Sequence, residues 1–178
     1  MNIAVITTGG TIAKTYNESD GSLQNTRPVI DLILAGLRIP DLQLTCKNIL
    51  TKDSIDLTDN DRDLIATTVV HAAAEHDGVI VAHGTDTLPV TGELLYRRLG
   101  TPRVPVVLTG AMRPYEFRDS DAAQNVTESL LAIRLVPPGI YVVMHNRVLK
   151  FPGVVKDRVR LSFVQSRPDG NSTHGENA

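Results

Sequence analysis

The chain has 178 residues, 42% of them apolar and 21% charged, and a formal net charge of −2. This length suits one domain that buries about two-thirds of its unfolded surface, and the composition is that of an ordinary soluble globule. The charge gives no electrostatic case for a nucleic-acid or anionic-membrane partner, and no apolar run approaches the ~20 residues that span a bilayer.

Taken in order, strands and helices alternate. A strand over residues 2–7 begins at once after Met1, leaving no room for a signal peptide. The acceptor triplets Asn125-Val126-Thr127 and Asn171-Ser172-Thr173 therefore carry no meaning, and the cytoplasm is the expected location. The strand runs into Thr8-Gly9-Gly10-Thr11, and residues 14–26 follow, polar and turn-rich around Asp20-Gly21. Asp-Gly between extended residues predicts a hairpin, here a mobile flap able to fold over a site. Pro28 sits where a helix starts, with Val29, Ile30, Leu32, Ile33, Leu34 and Leu37 as its apolar face. The next strand, 42–49, contains the single cysteine, Cys46, expected to be a small buried hydrophobe. A helix opens at Thr58 and reaches about His76, followed by the apolar strand 78–82. A helix over 87–99 and an all-apolar strand over 104–108 come next, then the sharp break Thr109-Gly110-Ala111-Met112-Arg113-Pro114. Asp119-Ser120-Asp121 caps a helix to about Leu135, and Pro137-Pro138-Gly139 turns into a strand over 140–144. His145-Asn146 makes a tight turn into 147–151.

Continuous apolar strands separated by helices predict a doubly wound α/β domain, its mostly parallel sheet covered by helices on both faces. We place this domain at residues 1–165, with a flexible polar tail at 166–178 and no second domain.

The chemistry is concentrated at two strand ends. His83-Gly84-Thr85-Asp86-Thr87 closes the strand 78–82 with amide donors, a hydroxyl and a carboxylate, and Thr11 follows the first strand. Open α/β sheets bind ligands at that carboxyl edge, and paired hydroxyls beside an acid form a nucleophilic pattern. The Gly9-Gly10 turn lacks the spacing of a phosphate loop and any Walker lysine, and taken alone is a tight turn. The five histidines are scattered without metal-ligand spacing, and no G-x-S-x-G elbow is present. Most of the cations between Arg147 and Arg160 read as solvated surface charges, and no local pattern picks one out.

Three stretches together, Thr8-Gly9-Gly10-Thr11-Ile12-Ala13, His83-Gly84-Thr85-Asp86-Thr87 and Gly110-Ala111-Met112-Arg113-Pro114, resemble the bacterial-type L-asparaginase family. The similarity runs from residue 1 to about 165, the family's amino-terminal domain, as in its short single-domain members. It implies a flavodoxin-like fold and hydrolysis of the asparagine side-chain amide to aspartate and ammonia through an acyl-enzyme. It assigns Thr11 as nucleophile, with Tyr16 on the flap hydrogen-bonding its hydroxyl. Thr85, Asp86 and Lys156 form the second catalytic cluster, in which the lysine amine relays a proton through the threonine hydroxyl. Ser54, in Ser54-Ile55-Asp56, and amides near Gly84-Thr85 hold the substrate's α-carboxylate; Asp86 takes its ammonium, and the Ala111 carbonyl takes the leaving amide. Ile55 stands where secreted long members carry a glutamine.

The residue types suit that scheme, because hydrolysing an unactivated amide needs a nucleophile, a proton acceptor and oxyanion donors. A lysine can lose its proton when burial or nearby charge lowers its pKa, whereas arginine cannot. No cofactor or metal is implied. The expected partners are the small-molecule substrate L-asparagine and further copies of the chain, as a dimer or tetramer. Three alternatives stay open: an amidase on glutamine or another amide, a non-catalytic amino-acid-binding protein, and a flavodoxin-like nucleotide binder.

Overall fold

Strand residues alternate between two helical layers, and this period of two fixes which helices each strand meets. The computed structural model describes residues 1–25 and 29–166. Its central sheet contains β1 (Asn2–Gly9), β4 (Gln43–Lys52), β5 (Gly78–Ala82), β6 (Pro105–Thr109), β7 (Gly139–Met144) and β8 (Arg147–Lys150). Ala4 and Ile6 of β1, Val79 and Val81 of β5, and Val106 and Leu108 of β6 point to one layer. There they meet Ile65, Ala66 and Val69 of α2 (Asp59–Glu75) and Leu88 and Leu95 of α3 (Leu88–Leu99). Ile3, Val5, Ile80 and Val107 face the opposite layer, built on α1 (Ile30–Ala35) and α4 (Ala122–Leu135). Residues buried on both faces of a sheet must be apolar throughout, so β5, β6 and β7 read as unbroken apolar runs.

The strand order is β4-β1-β5-β6-β7-β8, parallel except for the final antiparallel pair. The chain leaves β1 for β4 on one side and returns to β5 on the other. A crevice therefore opens at the carboxyl ends of β1 and β5, the switch point where such sheets hold ligands. Two small hairpins flank that edge: β2 (Lys14–Tyr16) with β3 (Leu23–Asn25), and β9 (Val154–Asp157) with β10 (Ser162–Gln165). The flap is thus a hairpin, its turn closed by Gly21 at φ 72°. The turn after β7 is equally tight, with His145 and Asn146 at φ 53° and 59°.

Two expectations are corrected. Cys46 is exposed, because β4 is the outermost strand and its middle faces solvent. Partial desolvation and the nearby Asp31 carboxylate push its thiol up to about 11, so it stays protonated. Asp121 precedes α4 but makes no side-chain cap; its carboxylate turns back to the loop after β6, and the Ser120 hydroxyl accepts the Ala122 N–H instead. Thr58 does cap α2, in a reciprocal box with Asp61. Pro28, Thr26 and the tail beyond Ser166 lie outside the described residues.

Candidate active site

Glycines let two strand ends meet. Gly10, at φ 79°, lies against the backbone of Gly84, where any side chain would collide with the Gly84 backbone. A β-carbon on Gly84 would in turn come within 2.7 Å of the Ser54 Cβ. The Thr8 hydroxyl donates to the Ala82 carbonyl at 3.2 Å, and the Gly10 N–H donates to Lys52 O at 2.9 Å, binding the ends of β1, β5 and β4 together. Thr11 and Thr85 follow these back-to-back glycines directly and so share the edge. Ser54 is buried there, accepting the Thr87 N–H on its hydroxyl and the Thr87 hydroxyl on its carbonyl.

Lys156 reaches this edge from β9. Its Nζ donates to Thr85 Oγ1 at 2.8 Å and to Asp86 Oδ1 at 2.9 Å, and its side chain is only 10% exposed. Burial removes competing water, so a lysine held between a hydroxyl and a carboxylate is a specific arrangement and not a solvated surface charge. The approach to β9 is anchored on α3. The Phe151 ring fills the space that a side chain at Gly92 would take, and the Gly153 N–H donates to Glu93. Lys150, by contrast, lies over the Tyr141 ring.

The other expected residues are placed as follows. Thr11 opens a short 3-10 turn, Thr11–Ala13, and is half-buried. Ala111 is buried in the loop after β6, and Gly110 packs against His83 O and the Thr85 methyl. Tyr16 stands apart at 58% exposed; among the described residues it makes no hydrogen bond to Thr11, and its N–H donates to Glu116. No group of His, Cys, Asp and Glu fit to hold a metal occurs among the described residues.

Several neighbours escaped the sequence reading. Arg158 lies 3.5 Å from Asp86 Oδ1, two residues beyond Lys156. It lies in the turn just past β9, and no pattern in the sequence marks it. His83 is fully buried, its Nδ1 on Gly84 O at 2.7 Å and its Nε2 on the Thr91 hydroxyl at 2.9 Å. Burial holds its imidazole neutral, pushed down to about 4. Asp121, Asn125 and His145 gather behind the Gly110-Ala111-Met112 loop; Asp121 and Asn125 stand four apart at the start of α4, but no spacing links them to His145.

A family model described as "Asparaginase, N-terminal" matches residues 2–162. The chain belongs to the asparaginase family. An L-asparaginase of Thermococcus kodakarensis is 37% identical over 150 residues, 84% of this chain and 45% of that one. A glutamyl-tRNA(Gln) amidotransferase subunit of Methanococcus maripaludis is 32% identical over 82% of this chain and 35% of its own length. The thermostable L-asparaginase structure from Thermococcus kodakarensis superposes with a TM-score of 0.84 at 34% identity, covering 93% of this chain and 51% of that one. A probable cytoplasmic L-asparaginase structure from Campylobacter jejuni gives 0.72 at 31%, covering 87% and 48%. This asparaginase-family chain thus spans about half the length, or less, of the relatives it matches.

Proposed function

We propose that the protein is an L-asparagine amidohydrolase whose catalytic residues are Thr11, Tyr16, Thr85, Asp86 and Lys156. The observation that carries this reading is the largely covered Lys156 amine held on both Thr85 Oγ1 and Asp86 Oδ1 at the switch point. Thr11 Oγ1 attacks the side-chain amide carbon, and the tetrahedral intermediate collapses to an acyl-enzyme ester as the amide nitrogen takes a proton and leaves as ammonia. Water then attacks the ester, releasing aspartate and restoring the hydroxyl. The Thr85 hydroxyl and the Lys156 amine relay the proton of the attacking hydroxyl to the leaving nitrogen. Ser54, Gly84 and Thr85 hold the substrate's carboxylate, Asp86 its ammonium, and the Ala111 carbonyl its amide nitrogen. We further propose a cytoplasmic location, self-association, and a domain closing near residue 165.

The relatives named as amidotransferase subunits favour a second reading, in which the carboxamide belongs to a substrate other than free asparagine. The deciding test is ammonia release by the purified protein from asparagine and, separately, glutamine. Activity on asparagine that falls by roughly 10³ or more in Thr11→Ala is expected. Lys156→Met should likewise impair turnover far more than Lys150→Met. Thr11→Ala within about tenfold of wild type overturns the assignment of the nucleophile.

A further inference from the structure

The loop that carries Ala111 is held from behind by three side chains outside the expected catalytic set. Asp121 accepts the Met112 N–H on both carboxylate oxygens at 3.0 Å and the Arg113 N–H at 3.0 Å. Asn125 Nδ2 donates to Gly110 O at 2.9 Å and to Asp121 Oδ2 at 2.8 Å. His145 closes the network: its Nε2 lies 2.7 Å from Asp121 Oδ2, and its N–H donates to Asn125 Oδ1 at 3.0 Å. A carboxylate only accepts, so Nε2 carries the proton. Burial opposes charge on Asp121, yet the Met112, Arg113, Asn125 and His145 donors together hold its carboxyl below the usual range.

Peptide planarity turns these bonds into an aiming device. In a trans peptide the C=O and N–H point in opposite directions. The Met112 N–H belongs to the same peptide unit as the Ala111 carbonyl, so pinning it to Asp121 directs that carbonyl away from α4. The Gly110 carbonyl is likewise fixed by Asn125, which directs the Ala111 N–H away from α4. Ala111 is buried, yet among the described residues neither its N–H nor its carbonyl has a protein partner. Buried backbone groups are rarely left so, and the opposite flank of this loop is where Gly110 packs on the Thr85 methyl.

We propose that Asp121, Asn125 and His145 are positioning residues that aim the Ala111 carbonyl at the leaving nitrogen of the substrate amide. This rests on the amidohydrolase reading. The carbonyl has something to accept only when the leaving group bears N–H, as an amide does and an ester does not.

The test compares L-asparagine with L-aspartate β-methyl ester in the wild type, Asp121→Asn, His145→Ala and His145→Gln. Asp121→Asn should lower kcat on asparagine about 10- to 100-fold, while kcat on the ester changes less than about threefold and KM for both stays similar. His145→Ala should show the same selectivity more weakly, and His145→Gln, whose amide N–H replaces Nε2–H, should recover most of the loss. The ester rate doubles as the measure of correct folding. Equal losses on amide and ester in Asp121→Asn and His145→Ala overturn the positioning role and leave the amidohydrolase reading intact. A wild type inactive on asparagine and glutamine overturns both.

Discussion

His83 shows how burial alone sets the state of a side chain. The ring is sealed between the Gly84 carbonyl, which can only accept and so puts the proton on Nδ1, and the Thr91 hydroxyl, which donates to the bare Nε2 of the neutral ring. Protonation would place a charge in the core away from water, and its pKa falls from 6.5 to about 4. The sign follows from linkage. Between those values the unfolded chain binds a proton that the folded chain refuses, so stability declines as pH falls from 6.5 towards 4. This one group contributes up to about 1.4 kcal/mol per pH unit. His83→Gln keeps a donor and an acceptor but does not titrate. Chemical denaturation from pH 7 to pH 4 should therefore show a shallower loss of stability in the variant than in the wild type. Matching slopes would show that His83 takes up its proton in the folded state.

Among the elements, the flap hairpin contrasts with the rest of the sheet. Among the described residues β2 and β3 pair with each other and with no other strand, and Lys14 on Asp53 at 2.8 Å and the Tyr16 N–H on Glu116 help to tie them down. Asn17, Asp20, Ser22 and Gln24 bond among themselves at the tip instead of to the body of the protein. Such segments open at low free-energy cost. Tyr16, more than half exposed, becomes a contact to Thr11 only if the hairpin moves over the edge. Amide hydrogen exchange over residues 14–25 should slow in saturating aspartate, while α2, capped by Thr58 and Asp61, should not respond. Unchanged exchange in the hairpin would count against a closing lid.

The molecule as a whole leaves its candidate site open. Asp86 is 40% exposed and Arg158 74%, and water at such a mouth weakens the charge contacts that a substrate would make. Apolar surface lies on the two helices that start beside the site: Val90 on α3, and Leu131 and Leu135 on α4, are all more than half exposed. A second copy packed at the start of α3 would cover Val90 and narrow the mouth together. Light scattering during size-exclusion chromatography at micromolar concentration should give at least twice 19.3 kDa. A mass near 19.3 kDa with full activity would show that no neighbour is needed.

Much of this architecture was legible in the chain because local chemistry has no competitor there. A short β-branched apolar run such as residues 78–82 reads as an inner strand of a covered sheet, Thr58 opens a helix, and Asp20-Gly21 closes a hairpin. Thr11, Thr85 and Asp86 could be placed at strand ends from the chain because parallel strands deliver their following loops to one edge whatever the strand order, whereas Ser54 and Ala111 were singled out only through the resemblance. Other features depended on what lies beside a residue in space. Cys46 looked like core because it falls in a strand and a free cysteine usually behaves as a small buried hydrophobe, but only the sheet order makes that strand an edge. Asp121 looked like a cap, since capping and bonding to a distant loop use the same carboxylate, and only the position of the Met112 and Arg113 amides chooses between them. Lys156 is one cation among several along residues 147–160, and no local pattern separates it from Lys150. What separates them is that Phe151 seats on Gly92 and Glu93 holds Gly153, which turns β9 so that one amine meets Thr85 and the other stays over Tyr141.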